Sequence, residues 1–273
     1  MRLSIGISPC PNDTFIFDAL VNKLIDTGDL EFDLYLEDVQ TLNEWALQGK
    51  LDILKISYGT YPLIRNNYAL LRAGGALGRG VGPLLISKKE KPHAELHVLR
   101  NAVNVSNIFL PGKNTTAHFL FTNTFPEAIH KNFVPFHLIE EGVLNDQADL
   151  GVIIHENRFT YAAKGLHQWC DLGELWEKNT GLPIPLGGIV MHNRFSSDTI
   201  NFVNEKIRES LSYSRKHYPQ LSPFVKQNAQ EMSEDVMRKH IELYVNDFSD
   251  DIGYTGRMAI DEMLKVYEFI QTE

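Results

Sequence analysis

The sequence predicts an α/β protein of two lobes, each a mixed, mostly parallel sheet flanked by helices, with a ligand cleft between them. Strand-like and helix-like segments alternate through the first half of the chain, which is typical of parallel sheets covered by helices. Two segments, 88–93 and 181–193, are rich in charge or in Gly and Pro and look like crossings between the same two lobes. At 273 residues the chain is also longer than most single domains. We therefore expect a discontinuous first lobe, 1–90 plus 188–273 with the C-terminal helices, and a second lobe, 91–187.

The elements of the first half follow from the spacing of apolar residues. Strands are expected at 3–7, 30–36 and 51–56, and helices after residue 12 and at 41–48. Asn12 or Asp13, in the turn SPCPND, would cap the first of these helices. Thr41, with Glu44 three residues later, would cap the second through a capping box.

The later elements repeat this logic and then become helical. Further strands are expected at 82–87, 103–110 and 148–154, with a helix from residue 117 onward. Apolar spacings of three and four predict helices at 199–217, 223–229, 234–245 and 256–270. Because two segments link the same pair of lobes, a hinged pocket between them is the default ligand site.

Composition excludes several classes of protein. The net charge of −9 argues against a nucleic-acid partner, which requires a concentrated basic surface. Two cysteines are too few for a disulfide framework and indicate a reducing compartment. The first residues lack the apolar core of a secretory signal, and no stretch approaches the ~20 apolar residues of a membrane span. We expect a cytoplasmic protein without membrane insertion.

The segment GVIIHENRFTY, residues 151–161, is the most informative stretch of the chain. A short apolar run ends abruptly at His155, and polar residues follow at once. A histidine at the exit of a buried strand lies where open α/β sheets bind ligands, and its usual pKa near 6.5 suits proton transfer. His155 is therefore a candidate general base. The alternative is a histidine that only caps the strand and bonds a neighbour.

An anion site is expected where the loop PGKNTT becomes a helix. Thr115 and Thr116 stand at that helix start, where free amide groups and the helix dipole favour carboxylate or phosphate oxygens. Ser57 follows a buried strand and could donate another hydrogen bond, whereas the alternative for the threonines is plain N-capping. Arg158 could clamp a carboxylate or pair with a surface acid. Cys10 has no partner identifiable from spacing and is interpreted as a small buried thiol.

Three cofactor or metal motifs are absent. The glycine-rich run 73–82 does not open a helix or match the dinucleotide fingerprint. PGKNTT is not a phosphate-binding P-loop, because Asn107 and Asn114 occupy positions where that motif requires Gly and Ser or Thr. His155 and Glu156 begin like a zinc H-E-x-x-H motif, but residue 159 is Phe. We expect no metal.

Five segments taken together resemble one family. They are SPCPNDTFIFDAL (8–20), KISYGTY (55–61), GGALGRGVGPL (74–84), PGKNTTAHFL (111–120) and GVIIHENRFTY (151–161). In this order they are similar to the 1,4-dihydroxy-6-naphthoate synthases of the futalosine route to menaquinone, from about Leu3 to Ser249. The resemblance implies a two-lobed periplasmic-binding-protein-like (type II) fold without export.

The resemblance also implies an activity and a set of site residues. The reaction would convert cyclic dehypoxanthinyl futalosine to 1,4-dihydroxy-6-naphthoate by carbon–carbon bond cleavage, without a cofactor and with release of a three-carbon sugar fragment. The family's catalytic base falls on His155. Its substrate-binding segments fall on Lys55, Ile56, Ser57, Thr115 and Thr116. Asn12 and Asp13 lie in a motif of unassigned role, and with Arg158 they are expected to line the cleft.

Two alternatives remain open at this stage. The fold also serves non-catalytic proteins that bind small carboxylates. A closer rival is the sister enzyme that dehydrates chorismate at the start of the same pathway, although the IIHE histidine and the SPCPNDTF segment favour the later step. In each case the expected partner is a small molecule with a carboxylate. The sequence makes no prediction of oligomeric state.

Overall fold

Two mixed β-sheets form the framework of the protein. The computed structural model describes residues 1–92, 96–230 and 233–272. The first sheet has the order β2-β1-β3-β11-β4, and β5 pairs with β11 at its side. Its strands are β1 (Arg2–Ile7), β2 (Glu31–Leu36), β3 (Ile53–Ser57), β4 (Tyr68–Leu70), β5 (Ala76–Gly78) and β11 (Ile184–His192). The second sheet has the order β10-β6-β9-β7-β8. Its strands are β6 (Leu84–Ser87), β7 (Ile108–Leu110), β8 (Lys131–Phe133), β9 (Leu150–Ile153) and β10 (His167–Asp171).

Helices flank both sheets. Those before β11 are α1 (Pro11–Val21), α2 (Val39–Leu47), α3 (Tyr61–Ile64), α4 (Leu96–Asn104), α5 (Thr116–Thr124), α6 (Ile139–Leu144), α7 (Asn157–Thr160) and α8 (Leu172–Thr180). Those after it are α9 (Ser197–His217), α10 (Pro223–Asn228), α11 (Glu234–Tyr244), α12 (Asp247–Asp250) and α13 (Gly253–Thr272). None of these helices, within the described ranges, combines the length and apolar character that a membrane crossing requires.

The predicted α/β fold with two mixed sheets is confirmed, but the sheets are not mostly parallel, because only four of the nine strand pairs among the described residues are parallel. Parallel pairs join β1 to β2 and β3 in the first sheet, and β7 to β8 and β9 in the second. The antiparallel pairs of the described strands all involve β6 or β11. These are the first strands after the chain enters the second sheet and after it returns to the first.

Both lobes contain buried apolar clusters, and one of these clusters continues from the second lobe into the first. In the first lobe, Leu3 and Ile5 of β1 pack with α1, α9 and α11, and both side chains are fully buried. In the second lobe, Leu110 and Val152 pack with Phe121 of α5. Burying a side chain of this size contributes about 1.5–3 kcal/mol to the stability of the fold. This packing fixes the sheets, and with them the strand ends that line the cleft.

The sheet membership of the strands favours lobe crossings earlier in the chain than those expected from the sequence. β6 falls inside the segment assigned to the first lobe, yet Leu84 pairs with Ile153 in the second sheet. We therefore propose as the first crossing the glycine-rich stretch 79–83, where Gly80 has a φ of 66° and a Cβ at Gly82 would lie 2.4 Å from the Cα of Gly173. Only glycine permits a turn and an approach of this kind. The charged segment 88–93, whose His93 lies outside the described residues, follows a strand of the second sheet instead.

Sheet membership also favours an earlier second crossing. Ile184 of β11 already pairs with Gly78 of β5, so the predicted boundary after residue 187 falls inside a strand of the first sheet. From sheet membership, we propose lobe boundaries near residues 79–83 and 181–183.

Three local predictions, one strand and two helix caps, were wrong. The expected strand 103–110 begins as the end of α4, because Leu99 and Val103 bury one helical face, and only Ile108–Leu110 is extended. The expected caps also fail. Cys10 caps α1 without a side-chain hydrogen bond, and Asp38 caps α2 by accepting from the amide of Thr41.

Candidate active site

A cleft of about 670 Å³, including its open mouth, lies between the two lobes. Of the side chains predicted from the sequence, those that line it are Asn12, Asp13, Lys55, Ile56, Ser57, Thr115, Thr116 and His155. The first five come from α1 and β3 of the first lobe, and the others from the second lobe. The tertiary fold thus brings together segments that are far apart in the chain.

His155 lies just beyond β9, at the edge of the second sheet. Its backbone has a φ of 58°, in the left-handed region that side-chain-bearing residues rarely adopt. This conformation directs the half-buried ring toward the first lobe, where Nδ1 lies 3.5 Å from Cys10 Sγ. On its own lobe the ring meets the edge of Phe136, with the ring centroids 4.9 Å apart. A non-glycine residue held in this way is characteristic of functional sites.

The surroundings of His155 keep its ring neutral at pH 7. Burial in the cleft lowers the pKa of His155 to about 4, and the nearby His240 acts in the same direction. The carboxylate of Glu156 opposes this shift but does not cancel it. An imidazole without an added proton can accept one from a ligand, which is the requirement for a general base.

The N-terminus of α5 faces the same cleft, but the two threonine hydroxyls are already engaged. Thr115 caps the helix by accepting from the amide of His118, and its hydroxyl donates to the carbonyl of Gly112. The hydroxyl of Thr116 donates to the carbonyl of Leu186, 2.7 Å away, and accepts from the amide of Gly59. The bonds of Thr115 match the alternative of plain N-capping. The bonds of Thr116 link the two lobes.

The donors that remain at this helix end are main-chain amides. Thr116 and Ala117 occupy the first two helical positions, where an N–H has no partner inside its own helix. Within the described part of the chain, no protein acceptor bonds either amide. A Cβ at Gly59 would lie 2.9 Å from the carbonyl oxygen of Thr115, so only glycine lets the first lobe approach this helix end so closely. The amides can bind an anionic oxygen.

The floor of the cleft contains a buried ion pair. Lys55 Nζ donates to Asp13 Oδ1 over 2.7 Å and to the carbonyl of Gly74 over 3.3 Å. The lysine and aspartate side chains are only 6% and 1% exposed. Asp13 also accepts from the hydroxyl of Ser8 at 2.6 Å and from the side-chain amide, Nδ2, of Asn12 at 2.8 Å. The charges are thus mutually satisfied, as a buried pair requires.

Ser57, at the end of β3, also lines the cleft. Its hydroxyl oxygen accepts from Nδ2 of Asn43, and its amide donates to Oδ1 of the same residue. The serine is therefore fixed in position while its O–H hydrogen can still be donated.

Arg158 is not among the residues that line the cleft. Its guanidinium donates to the carbonyl of Gly82 over 2.7 Å and lies 3.6 Å from the carboxylate of Asp171. The expectation that it lines the cleft is therefore not met. Its contacts link α7 to the stretch 79–83. Both the Gly82 carbonyl and the Asp171 carboxylate already interact with its guanidinium group.

Sequence reasoning missed His240 and the role of Glu156. His240 lies inside α11, is fully buried, and its Nε2 is 2.9 Å from Oδ1 of Asn12. Its Nδ1 lies 3.5 Å from Oε2 of Glu156, and its ring is stacked on that of His155 with centroids 6.3 Å apart. No local motif surrounds His240. Glu156 was considered only as part of a zinc motif.

Three side chains lie close enough to share an ion, but their chemistry does not fit one. Cys10, His155 and Glu156 each offer an atom within 4.8 Å of the others. Burial raises the pKa of the Cys10 thiol well above its usual value, so the thiolate that metals require is strongly disfavoured. Glu156 is already directed at His240.

Comparison with known proteins agrees with this architecture. A family model described as "Menaquinone biosynthesis" matches residues 3–268. A protein from Thermus thermophilus named "1,4-dihydroxy-6-naphtoate synthase" is 42% identical over 94% of this chain and 91% of its own length. One of the same name from Streptomyces coelicolor is 39% identical, with 96% and 91% covered.

Solved structures share the fold. A protein from Archaeoglobus fulgidus has a TM-score of 0.91 at 26% identity and covers 100% of this chain, with 98% of its own chain matched. The periplasmic aliphatic sulphonate binding protein SsuA from Escherichia coli has a TM-score of 0.67 at 10% identity, with 99% and 88% covered. The second likeness concerns the fold alone, and it confirms the expected periplasmic-binding-protein-like architecture.

Proposed function

The chain belongs to the menaquinone-biosynthesis family, and on that premise we propose that it is a 1,4-dihydroxy-6-naphthoate synthase. It would be a carbon–carbon lyase that converts cyclic dehypoxanthinyl futalosine to 1,4-dihydroxy-6-naphthoate. The names of two relatives that match it over most of their length support this activity. The main structural support is a neutral imidazole, His155, in a cleft that also contains the free amides of a helix N-terminus.

The helix end is proposed to hold the carboxylate of the substrate. The amides of Thr116 and Ala117 provide two donors, and the positive end of the α5 dipole adds a favourable interaction of about 0.3–1 kcal/mol. Ser57 can donate a third hydrogen bond from the first lobe. A ligand held from both lobes would draw them together and orient its reactive carbons.

His155 is proposed to start the reaction as the general base. It would take a hydroxyl or carbon-bound proton of the substrate, after which the carbon–carbon bond to the three-carbon fragment breaks. The aromatic ring that forms in the product favours cleavage. A positioned base typically contributes about 10²–10⁴-fold to the rate. Lys55 and Asp13 would fix the floor beneath the substrate.

Two alternatives are less favoured. The chorismate-dehydrating sister enzyme shares the pathway, but both curated relatives have the name of the later enzyme. A non-catalytic carboxylate binder would not require a strained, neutral histidine in its cleft. A cytoplasmic location belongs to the same proposal, supported by the biosynthetic role of the family and by two unpaired, buried cysteines.

A direct assay of substrates tests the proposal. The purified protein should be incubated separately with cyclic dehypoxanthinyl futalosine and with chorismate, and the products identified by absorbance and mass. We expect the naphthoate and a three-carbon product from the first compound and no conversion of the second. Dehydration of chorismate would favour the sister activity, and tight binding of the first compound without conversion would favour a binding protein.

A further inference from the structure

Two buried polar side chains face each other across the cleft. His240 lies on α11, whose Met237 and Ile241 pack in the core of the first lobe. Glu156 follows β9 of the second lobe. His240 Nδ1 and Glu156 Oε2 are 3.5 Å apart, and among the described residues neither atom has a hydrogen-bond partner. The two residues are 0% and 7% exposed, and a buried polar group without a hydrogen-bond partner is destabilising.

The hydrogen bonds on the other side of His240 determine where one of its protons lies. Lys55 pairs with Asp13, which is therefore a carboxylate and only accepts hydrogen bonds. Asn12 must donate its Nδ2 to Asp13 Oδ1, 2.8 Å away, and this turns its Oδ1 toward His240. Because an amide oxygen only accepts, His240 Nε2 at 2.9 Å must have a hydrogen.

A second proton is then required between His240 and Glu156. If His240 had only the hydrogen on Nε2, the lone pair of its Nδ1 would face an ionised carboxylate in a buried position, which is repulsive. One added proton, on Nδ1 or on the carboxyl group, converts this repulsion to attraction. We propose that His240 and Glu156 share one proton across the cleft and that this pair controls how readily His155 accepts a proton.

The position of the pair supports this role. The His155 and His240 rings are stacked with an interplanar angle of 12°, and Glu156 is the next residue in the chain after His155. Positive charge on His240 disfavours a second positive charge on His155, whereas the Glu156 carboxylate favours it. Because each lobe supplies one partner, the pair exists only where the lobes meet.

Other groups around the pair do not compete for this role. Asp13 of α1 and Lys55 of β3 neutralise each other through their ion pair. On α11 itself the Tyr244 ring packs against His240, with centroids 4.7 Å apart, and burial raises the pKa of Tyr244 to about 12. Burial likewise keeps the thiol of Cys10 protonated.

Within the pair, burial works to raise the pKa of Glu156, but the nearby His240 and His155 lower this pKa to about 2.

The charge state of His240 can be measured in the unmodified enzyme. Nitrogen-15 chemical shifts should show a hydrogen on Nε2, with Nδ1 either protonated or accepting a hydrogen bond from a protonated Glu156, whose carboxyl carbon-13 shift distinguishes the two. A bare Nδ1 beside an ionised Glu156, or a hydrogen on Nδ1 alone, would overturn the proposal.

Two substitutions test whether the pair controls the pKa of His155. Only the kinetic part of this test rests on the proposed function. In the free enzyme, the pKa of the His155 ring measured by NMR should rise by about one unit in His240→Asn, because Glu156 then acts unopposed. In Glu156→Gln the pKa of His155 should fall instead. Glu140→Gln is the matched control, since Glu140 is also a buried carboxylate and holds the same segment through Asn157 and Lys164. That control should leave the pKa of His155 unchanged.

The directions of the shifts decide the result. Shifts of the same sign in His240→Asn and Glu156→Gln, or an equal shift in Glu140→Gln, would refute control by the pair. In the pH profile of kcat/KM, the acid limb, where activity falls with falling pH, should be centred at the His155 pKa that NMR gives for each variant. If the NMR shifts appear as expected but the limb does not follow them, the pair is upheld and the assignment of His155 as the base fails.

Discussion

Replacing His155 with glycine should remove activity yet yield a more stable protein than replacing it with alanine. The φ of 58° costs a residue with a side chain about 1–2 kcal/mol, a cost that glycine avoids. Glycine in turn loses about 0.5–1 kcal/mol more conformational entropy on folding. Since both variants lack the imidazole, the difference between these two costs leaves the glycine variant more stable by roughly 0.75 kcal/mol. Both should lose at least about a hundredfold in turnover if the ring is the base.

Urea unfolding of the two variants, with turnover measured on the same preparations, checks this prediction. Val152 in β9 provides the control, because at that buried strand position glycine should be less stable than alanine. An alanine variant at residue 155 that is as stable as the glycine variant would refute the strained backbone. Turnover near that of the unmodified enzyme in either variant would remove His155 from the role of base.

Two further predictions concern pH and the anion site. Because the pKa of His155 lies near 4 rather than 6.5, kcat/KM should remain level from pH 7 to about pH 5 and fall only as His155 is protonated near pH 4; a limb centred near 6.5 would contradict the low pKa. At the helix end, Thr116→Pro removes both the amide hydrogen and the hydroxyl, and proline is tolerated at this first helical position. Thr116→Val removes only the hydroxyl, which bonds Leu186 and Gly59, so it should lower stability but leave affinity for the naphthoate product largely intact. Calorimetry should show at least tenfold weaker product binding in Thr116→Pro than in Thr116→Val, and equal affinities would exclude the amide as an anion donor.

The order of strands and helices could be predicted because each depends on residues close together in the chain. The alternation of β2 and the apolar spacing of α9 were sufficient to locate both within one or two residues. The predicted strand 103–110 failed where a helical face and a short strand adjoin, since Leu99 and Val103 have the same apolar character as a strand. The lobe boundaries that we propose from sheet membership differ from those expected from the sequence, because β6 and β11 are assigned by their hydrogen-bond partners, which local composition does not specify.

The candidate site was anticipated where a polar residue ends a buried strand or begins a helix. His155, Ser57 and Thr116 all satisfy that description, and all line the cleft. The sequence did not indicate that the Thr115 and Thr116 hydroxyls are used within the protein, so that only the amides remain for a ligand.

By itself, the sequence determined the α/β class, the family resemblance and the histidine at the end of β9, because each is encoded in contiguous residues. Only the tertiary structure placed Cys10 beside His155, 145 positions later in the chain, and His240 between Asn12 and Glu156. The proton affinity of a side chain depends on what surrounds it within a few ångströms, and those neighbours come from both lobes. The chemistry of His155 is therefore set where the lobes meet, by contacts that no local segment of the chain specifies.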